Sequence, residues 1–114
     1  MSSLQYGVIV LLEFSPSWLS LSRENRRELA GGLYAIIGKY AGQVHVEYYD
    51  ADAFHGSCSD YVVCRTADLK HYHYMWEEIR DSPVYAGGYM RIKDVITGIR
   101  NGYQAYESEV LNMP

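Results

Sequence analysis

The stretch that decides the fold is QVHVEYYDADAFHGSCSDYVVCR, residues 43–65. Its first seven residues alternate. Val44, Val46 and Tyr48 point one way, and Gln43, His45, Glu47 and Tyr49 the other, which is the period of a strand with two different faces. The end, Ser59 to Arg65, alternates again, with Tyr61 and Val63 opposed to Val62 and Cys64. Between them lie Asp50, Asp52, Gly56 and Ser57, residue types that form turns. Two strands joined by one polar loop read as an antiparallel hairpin.

Helical patterns flank this hairpin. Upstream, Ser22 is a good N-cap for a helix starting at Arg23, with Leu29, Leu33, Ile36 and Tyr40 on one stripe. Arg23, Arg26 and Arg27 fall on the wet side. Gly31 and Gly32 interrupt this helix at about 1 kcal/mol each, a cost that close backbone approach to a sheet would offset. Downstream, Thr66 or Asp68 caps a second helix whose stripe is Leu69, Tyr72, Trp76 and Ile79, ended by Asp81-Ser82-Pro83. Farther out, Tyr6 to Phe14 is an apolar, β-branched strand, broken by Ser15-Pro16 and a short turn through Trp18. Gly87 to Val95 is a fourth strand, with Tyr89, Arg91 and Lys93 opposed to Met90 and Ile92. Ile96, Ile99, Tyr103, Tyr106 and Val110 then repeat at helical spacing, so a C-terminal helix follows.

The order is β-α-β-β-α-β plus a final helix over residues 1–114, one domain. That is the ferredoxin-like α+β arrangement, a four-stranded antiparallel sheet with helices on one face. The other face is half polar and rich in tyrosine, a type suited to wet interfaces. A homodimer through that sheet face is therefore expected.

Composition narrows the function classes. Net charge is −4, which calls for neither nucleic acid nor an anionic membrane. Tyrosine supplies 12 of the aromatic residues, against two Trp and two Phe. The longest apolar run, Val8 to Leu12, falls far short of the ~20 residues of a membrane span. It has no basic flank or cleavage pattern of a signal peptide, so a soluble, cytoplasmic protein is expected. Cys58 and Cys64 on one strand would stand ~20 Å apart, too far for a disulfide.

Few constellations carry chemistry. His71 and His73 are separated by ~200° on a helix and cannot grip one ion. His45 and Glu47 share a strand face but lack a third ligand. Asp50, Asp52 and His55 lack the glycine and closing glutamate of a calcium loop. No metal site and no cofactor are expected. Cys58 with His55 or His45 has no third orienting group. Ser59 lacks the setting of a nucleophile elbow, and no glycine loop fits a dinucleotide. Acid–base chemistry remains. His45, Glu47 and Tyr49 lie ~6.6 Å apart on one face, a base beside an orienting carboxylate. Tyr49, Tyr61, Tyr89 and Arg91 are candidates to bind substrate and hold an oxyanion. Asp60 has the parity of Val62 and Cys64, towards the helices. There it either caps amides at the hairpin end or lines a pocket, where burial would raise its pKa.

Several short motifs, taken in order, resemble the darcynin family. They are Trp18-Leu19, Tyr49-Asp50-Ala51-Asp52-Ala53-Phe54, Cys58-Ser59-Asp60, Thr66-Ala67-Asp68-Leu69 and Asp81-Ser82-Pro83. The resemblance runs from about Val8 to Tyr106. That family is small, bacterial and largely without assigned function. The resemblance implies a dimeric α+β barrel, a group that includes cofactor-free monooxygenases, cyclases and isomerases of secondary metabolism acting on aromatic or polyketide-like molecules. It brings no settled catalytic set. The expected function is therefore a cofactor-independent small-molecule enzyme of the proton-transfer or oxygenase type, with His45, Glu47 and Asp60 as catalytic candidates. The competing expectation is a non-catalytic homodimer that binds a metabolite or assembles.

Overall fold

The computed structural model describes residues 4–114. Four strands, β1 (Tyr6–Phe14), β2 (Val44–Asp50), β3 (Asp60–Thr66) and β4 (Met90–Ile99), form one antiparallel sheet in the order β2-β3-β1-β4. The connections are α1 (Pro16–Leu19) and α2 (Arg23–Lys39) after β1, and α3 (Leu69–Asp81) and α4 (Pro83–Ala86) after β3; α5 (Gly102–Glu109) follows β4. This is the expected ferredoxin-like α+β fold. The β2–β3 hairpin pairs Val44 with Thr66 and Asp50 with Asp60. That register sends Val46, Tyr48, Asp50, Asp60, Val62 and Cys64 to the helical side, and His45, Glu47, Tyr49, Tyr61 and Val63 to the open side.

The core lies between sheet and helices. Val8, Val10 and Leu12 of β1 meet Val44, Val62 and Cys64 from the hairpin, and Met75, Trp76, Ile79 and Val84 from α3 and α4. Ser22 Oγ accepts from the Asn25 N–H to cap α2, and an Asp68 carboxylate oxygen accepts from the Lys70 N–H to cap α3. Thr66, the other candidate cap, sits just upstream, its hydroxyl accepting from the Asp68 N–H. Asp81-Ser82-Pro83 ends α3 as expected, but the chain then makes one further turn, α4, with Pro83 at its start.

α2 differs from its sequence reading in two ways. Leu29, Leu33, Ile36 and Tyr40 pack against the core, yet no residue of α2 is fully buried. The helix stands off the sheet. Gly31 and Gly32 face open space rather than a close backbone, because a Cβ at either would meet nothing. Arg26 is not on the wet side. It is half-buried, with its Nε out of contact with solvent.

The C-terminal part also departs from expectation. β4 begins at Met90 and continues to Ile99, so Ile96 and Ile99 belong to the strand and only Gly102–Glu109 is helical. The cause is pairing with β1, where Ile96 lies opposite Ile9 and Ile99 opposite Tyr6. Asn101, in the left-handed conformation at φ 50°, turns the chain into α5. This end projects from the body. The molecule measures 57 × 31 × 17 Å with a radius of gyration of 16.7 Å, against about 13 Å for a compact chain of this length. Val95, Ile96, Ile99, Tyr103, Tyr106 and Val110 are all exposed along it.

Candidate functional site

The stand-off of α2 leaves a cavity of about 550 Å³ between that helix and the sheet, within the range of small-molecule sites. Its apolar wall is made by Phe14, Trp18, Leu33, Met75 and Trp76. Phe14 and Trp18 pack with ring centroids 5.1 Å apart, and α1 exists to hold Trp18 there, capped by Ser15. The polar groups come from two sides. Arg23 and Arg26 project from the first turns of α2. Tyr48, Asp50, Asp52 and Asp60 lie on the hairpin side.

Asp60 is only 6% exposed. Its carboxylate accepts a hydrogen bond from the Tyr48 hydroxyl. Burial, and then the Asp60 carboxylate itself, push the Tyr48 phenol far above its ordinary range. Tyr48 therefore keeps its proton and acts as a donor at neutral pH. Asp50 stands directly across from Asp60 in the ladder. Burial raises its carboxyl, and the neighbouring Asp52 and Asp60 charges add to that. Of the two roles open to Asp60 in the sequence, the structure has it lining the cavity.

The remaining candidates lie elsewhere. On the open face His45 Nε2 is 3.6 Å from a Glu47 carboxylate oxygen, so the strand spacing does bring that pair together. Glu47 has a stronger partner: the Arg65 guanidinium donates to the same oxygen at 2.6 Å. That bond is the main reason the Glu47 carboxyl is held below its usual range. Tyr49 and Tyr61 face each other in register and stack, with centroids 4.9 Å apart and planes within 13°. The Tyr49 hydroxyl also donates to Glu47, whose charge raises the Tyr49 phenol. Arg91 reaches back to Glu13 at 3.3 Å, and Lys93 joins the same carboxylate. Tyr89, grouped with Arg91 by alternation, lies just ahead of β4 and packs on Trp18 with centroids 5.8 Å apart. None of these six lines the cavity under α2.

Other reactive groups are accounted for singly. His71 and His73 lie on α3 beside Asp68 and Glu77 respectively. His55 shares a hydrogen bond with Ser57 in the exposed loop. Ser59 ties β3 to β1, donating to Leu12 O and accepting from the Phe14 N–H. Cys58 and Cys64 are free and buried, and burial pushes the Cys64 thiol up to about 11. Among the described residues no three His, Cys, Asp or Glu side chains are placed to hold a metal ion. No helix among them is long and apolar enough to cross a membrane. Among the cavity residues missed in the sequence are Tyr48, Asp50, Asp52, Arg23 and Arg26. Parity alone could have found the first two.

Comparison with known proteins gives a family and a fold. Residues 3–112 match the family model Darcynin, domain of unknown function. Darcynin 1 of Acinetobacter baumannii is 37% identical over 91 residues, covering 79% of this chain and 100% of the relative. A darcynin of Chromobacterium violaceum is 28% identical over 75 residues, 66% of this chain and 94% of the relative. Among solved structures, chlorite dismutase from Candidatus Nitrospira defluvii in complex with imidazole superposes with a TM-score of 0.78 at 13% identity over 89% of this chain and 42% of that one. A heme-binding protein from Thermus thermophilus superposes with a TM-score of 0.76 at 18% identity over 86% of this chain and 40% of that one. The chain thus spans less than half the length of either neighbour, and the likeness is one of fold.

Proposed function

The chain belongs to the darcynin family, a domain of unknown function, and on that premise we propose that it is a small-molecule enzyme working by cofactor-independent proton transfer in the cavity beneath α2. One observation carries this reading: a carboxylate, Asp60, buried in the lining of the cavity and hydrogen-bonded to Tyr48. A carboxylate shielded from water is a base that can take a proton from a carbon next to a carbonyl and return it to another position. Tyr48 orients Asp60 and supplies a proton donor beside it. The aromatic walls fit a planar, aromatic or polyketide-like substrate, and cyclisation or isomerisation needs only the removal and return of a proton. Of the sequence candidates, Asp60 is thereby the catalytic residue.

A heme is not part of this reading. Heme iron takes His, Cys, Met or Tyr as its axial ligand. Among the described residues lining the cavity there is no His or Cys. Tyr48 is committed to Asp60, Tyr34 of α2 is largely exposed to solvent, and Met75 and Met90 are packed into the core. The donor set does not fit the group.

The test follows deuterium entering the α-carbon of phenylacetone and of a linear β-diketone by proton NMR. Acceleration over buffer that disappears in Asp60→Asn supports the reading. A buffer-level rate with every such probe would leave the non-catalytic alternative, a metabolite-binding homodimer. A homodimer through the open sheet face has its own support: the Tyr49–Tyr61 stack beside exposed Ile9 and Ile96. His45, Glu47 and Arg91 would then be interface charges. Sedimentation velocity should show a dimer that Tyr61→Glu dissociates; a wild-type monomer would remove that part of the proposal.

A further inference from the structure

Two electrostatic liabilities line the same cavity. The first is at α2. Arg23 and Arg26 occupy its first and second turns, where the helix dipole disfavours positive charge by a few tenths to about 1 kcal/mol per group. Among the described residues neither is ion-paired, and the Arg26 Nε is buried with no acceptor. The second is at the hairpin. Asp50 and Asp60 are directly opposed in the ladder, an arrangement of like charges that destabilises a sheet. Asp52 adds a third carboxyl on the same side of the cavity.

Each cluster lacks the charge that the other carries, and both line the one cavity. A metal ion does not resolve the acidic side, since these carboxylates are not placed to hold one. An organic cation does, because an ammonium needs acceptors and no fixed coordination geometry. On the basic side a guanidinium fork suits a carboxylate. Trp18, Met75 and Trp76 line the same cavity and are surfaces for an apolar body and not for a third charge.

We infer that the cavity takes a small amphoteric molecule, with its carboxylate at Arg23 and Arg26, its ammonium at the three hairpin aspartates, and an aromatic or aliphatic body against the tryptophans. Amino-acid-like compounds are the simplest of this class. The inference rests on the cavity being the binding site and adds the substrate class.

Calorimetric titration separates the two claims with four probes. L-Phenylalanine carries both charges, 3-phenylpropionate only the carboxylate, phenethylamine only the ammonium, and indole neither. Phenylalanine should bind at least about tenfold tighter than either singly charged probe, about 1.4 kcal/mol. Arg26→Gln should weaken phenylalanine and phenylpropionate and leave phenethylamine unchanged. Asp50→Asn should weaken phenylalanine and phenethylamine and leave phenylpropionate unchanged. A flat series, or an Arg26→Gln effect equal on all four probes, overturns the assignment. Displacement of indole by phenylalanine in the wild type, read by NMR, needs no variant and confirms a shared site. If indole binds and the cavity-filling Ala30→Trp blocks it while the charged series stays flat, the cavity stands and the amphoteric class falls. If no probe binds, both fall.

Discussion

Replacing Tyr48 by Phe takes one oxygen from the cavity and deprives Asp60 of its donor. A hydrogen bond to a charged group contributes about 1.5–3 kcal/mol. Water can reach Tyr48, which is half exposed, so the lower end applies, about 1.5 kcal/mol. Asp60→Asn alone is harder to read. It keeps an acceptor for Tyr48 at about half the strength, but it also relieves the repulsion from Asp50. A double-mutant cycle removes that ambiguity, since the Asp50 contribution cancels between the arms. The expected coupling between Tyr48→Phe and Asp60→Asn is about 0.75 kcal/mol, the charge-assisted half of the bond. The assay is urea unfolding at pH 7 followed by tryptophan fluorescence, for which Trp18 and Trp76, both in the cavity wall, are suitable reporters. With a slope of about 1.5 kcal/mol per molar urea, Tyr48→Phe should move the midpoint down by about 1 M. A coupling indistinguishable from additivity, within about 0.3–0.5 kcal/mol, would show that the two groups do not act together and would undo the proposed role of Tyr48.

Three other outcomes follow from the fold. Met75 is 1% exposed at the centre of the core; Met75→Ala should cost about 2–5 kcal/mol by chemical unfolding. Ser22→Ala removes the cap of α2 and should cost about 1 kcal/mol, lowering the melting midpoint without altering the assembled fold by circular dichroism. Burial raises Tyr48, and lifts Tyr72 to about 12. Both stay protonated in the folded state while an unfolded tyrosine ionises near pH 10. Stability should thus hold to about pH 10 and then fall with further rise. Each residue contributes at most about 1.4 kcal/mol per pH unit, and Tyr48 less, because water screens its exposed half. Alkaline unfolding of Tyr48→Phe should fall less steeply.

The hairpin was legible because alternation is a local property. Val46, Tyr48 and Asp50 go under the helices, and His45, Glu47 and Tyr49 go outward, once the strand is recognised. The same parity put Asp60 beneath the helices. Register was not legible, and it decides the partners: Arg65 captures Glu47 only because it lies opposite His45 on the next strand. The boundary after β4 failed for a different reason. Ile96, Ile99, Tyr103 and Tyr106 keep helical spacing across a strand end, so the pattern cannot mark where pairing with β1 stops. The cavity was invisible in sequence because a void is the result of how far α2 stands from the sheet. That distance is set by the sizes of side chains on three elements at once. Arg26 was misassigned with it, since its burial depends on the same gap.

The strand order has a consequence for how the chain comes together. β1 is synthesised first, yet its two neighbours in the sheet are β3 and β4, and Tyr6 waits for Ile99. Only the β2–β3 hairpin can close early, from nearby residues. Pairings of such long sequence separation slow folding. At translation rates of about 5–20 residues per second, Val8, Val10 and Leu12 stay unpaired on one side for several seconds after they are made. A chain arrested before Met90 would present β1 as an apolar, open-edged strand, the kind of surface on which other chains add. β4 is therefore as much a guard against mispairing during synthesis as a support for the finished sheet.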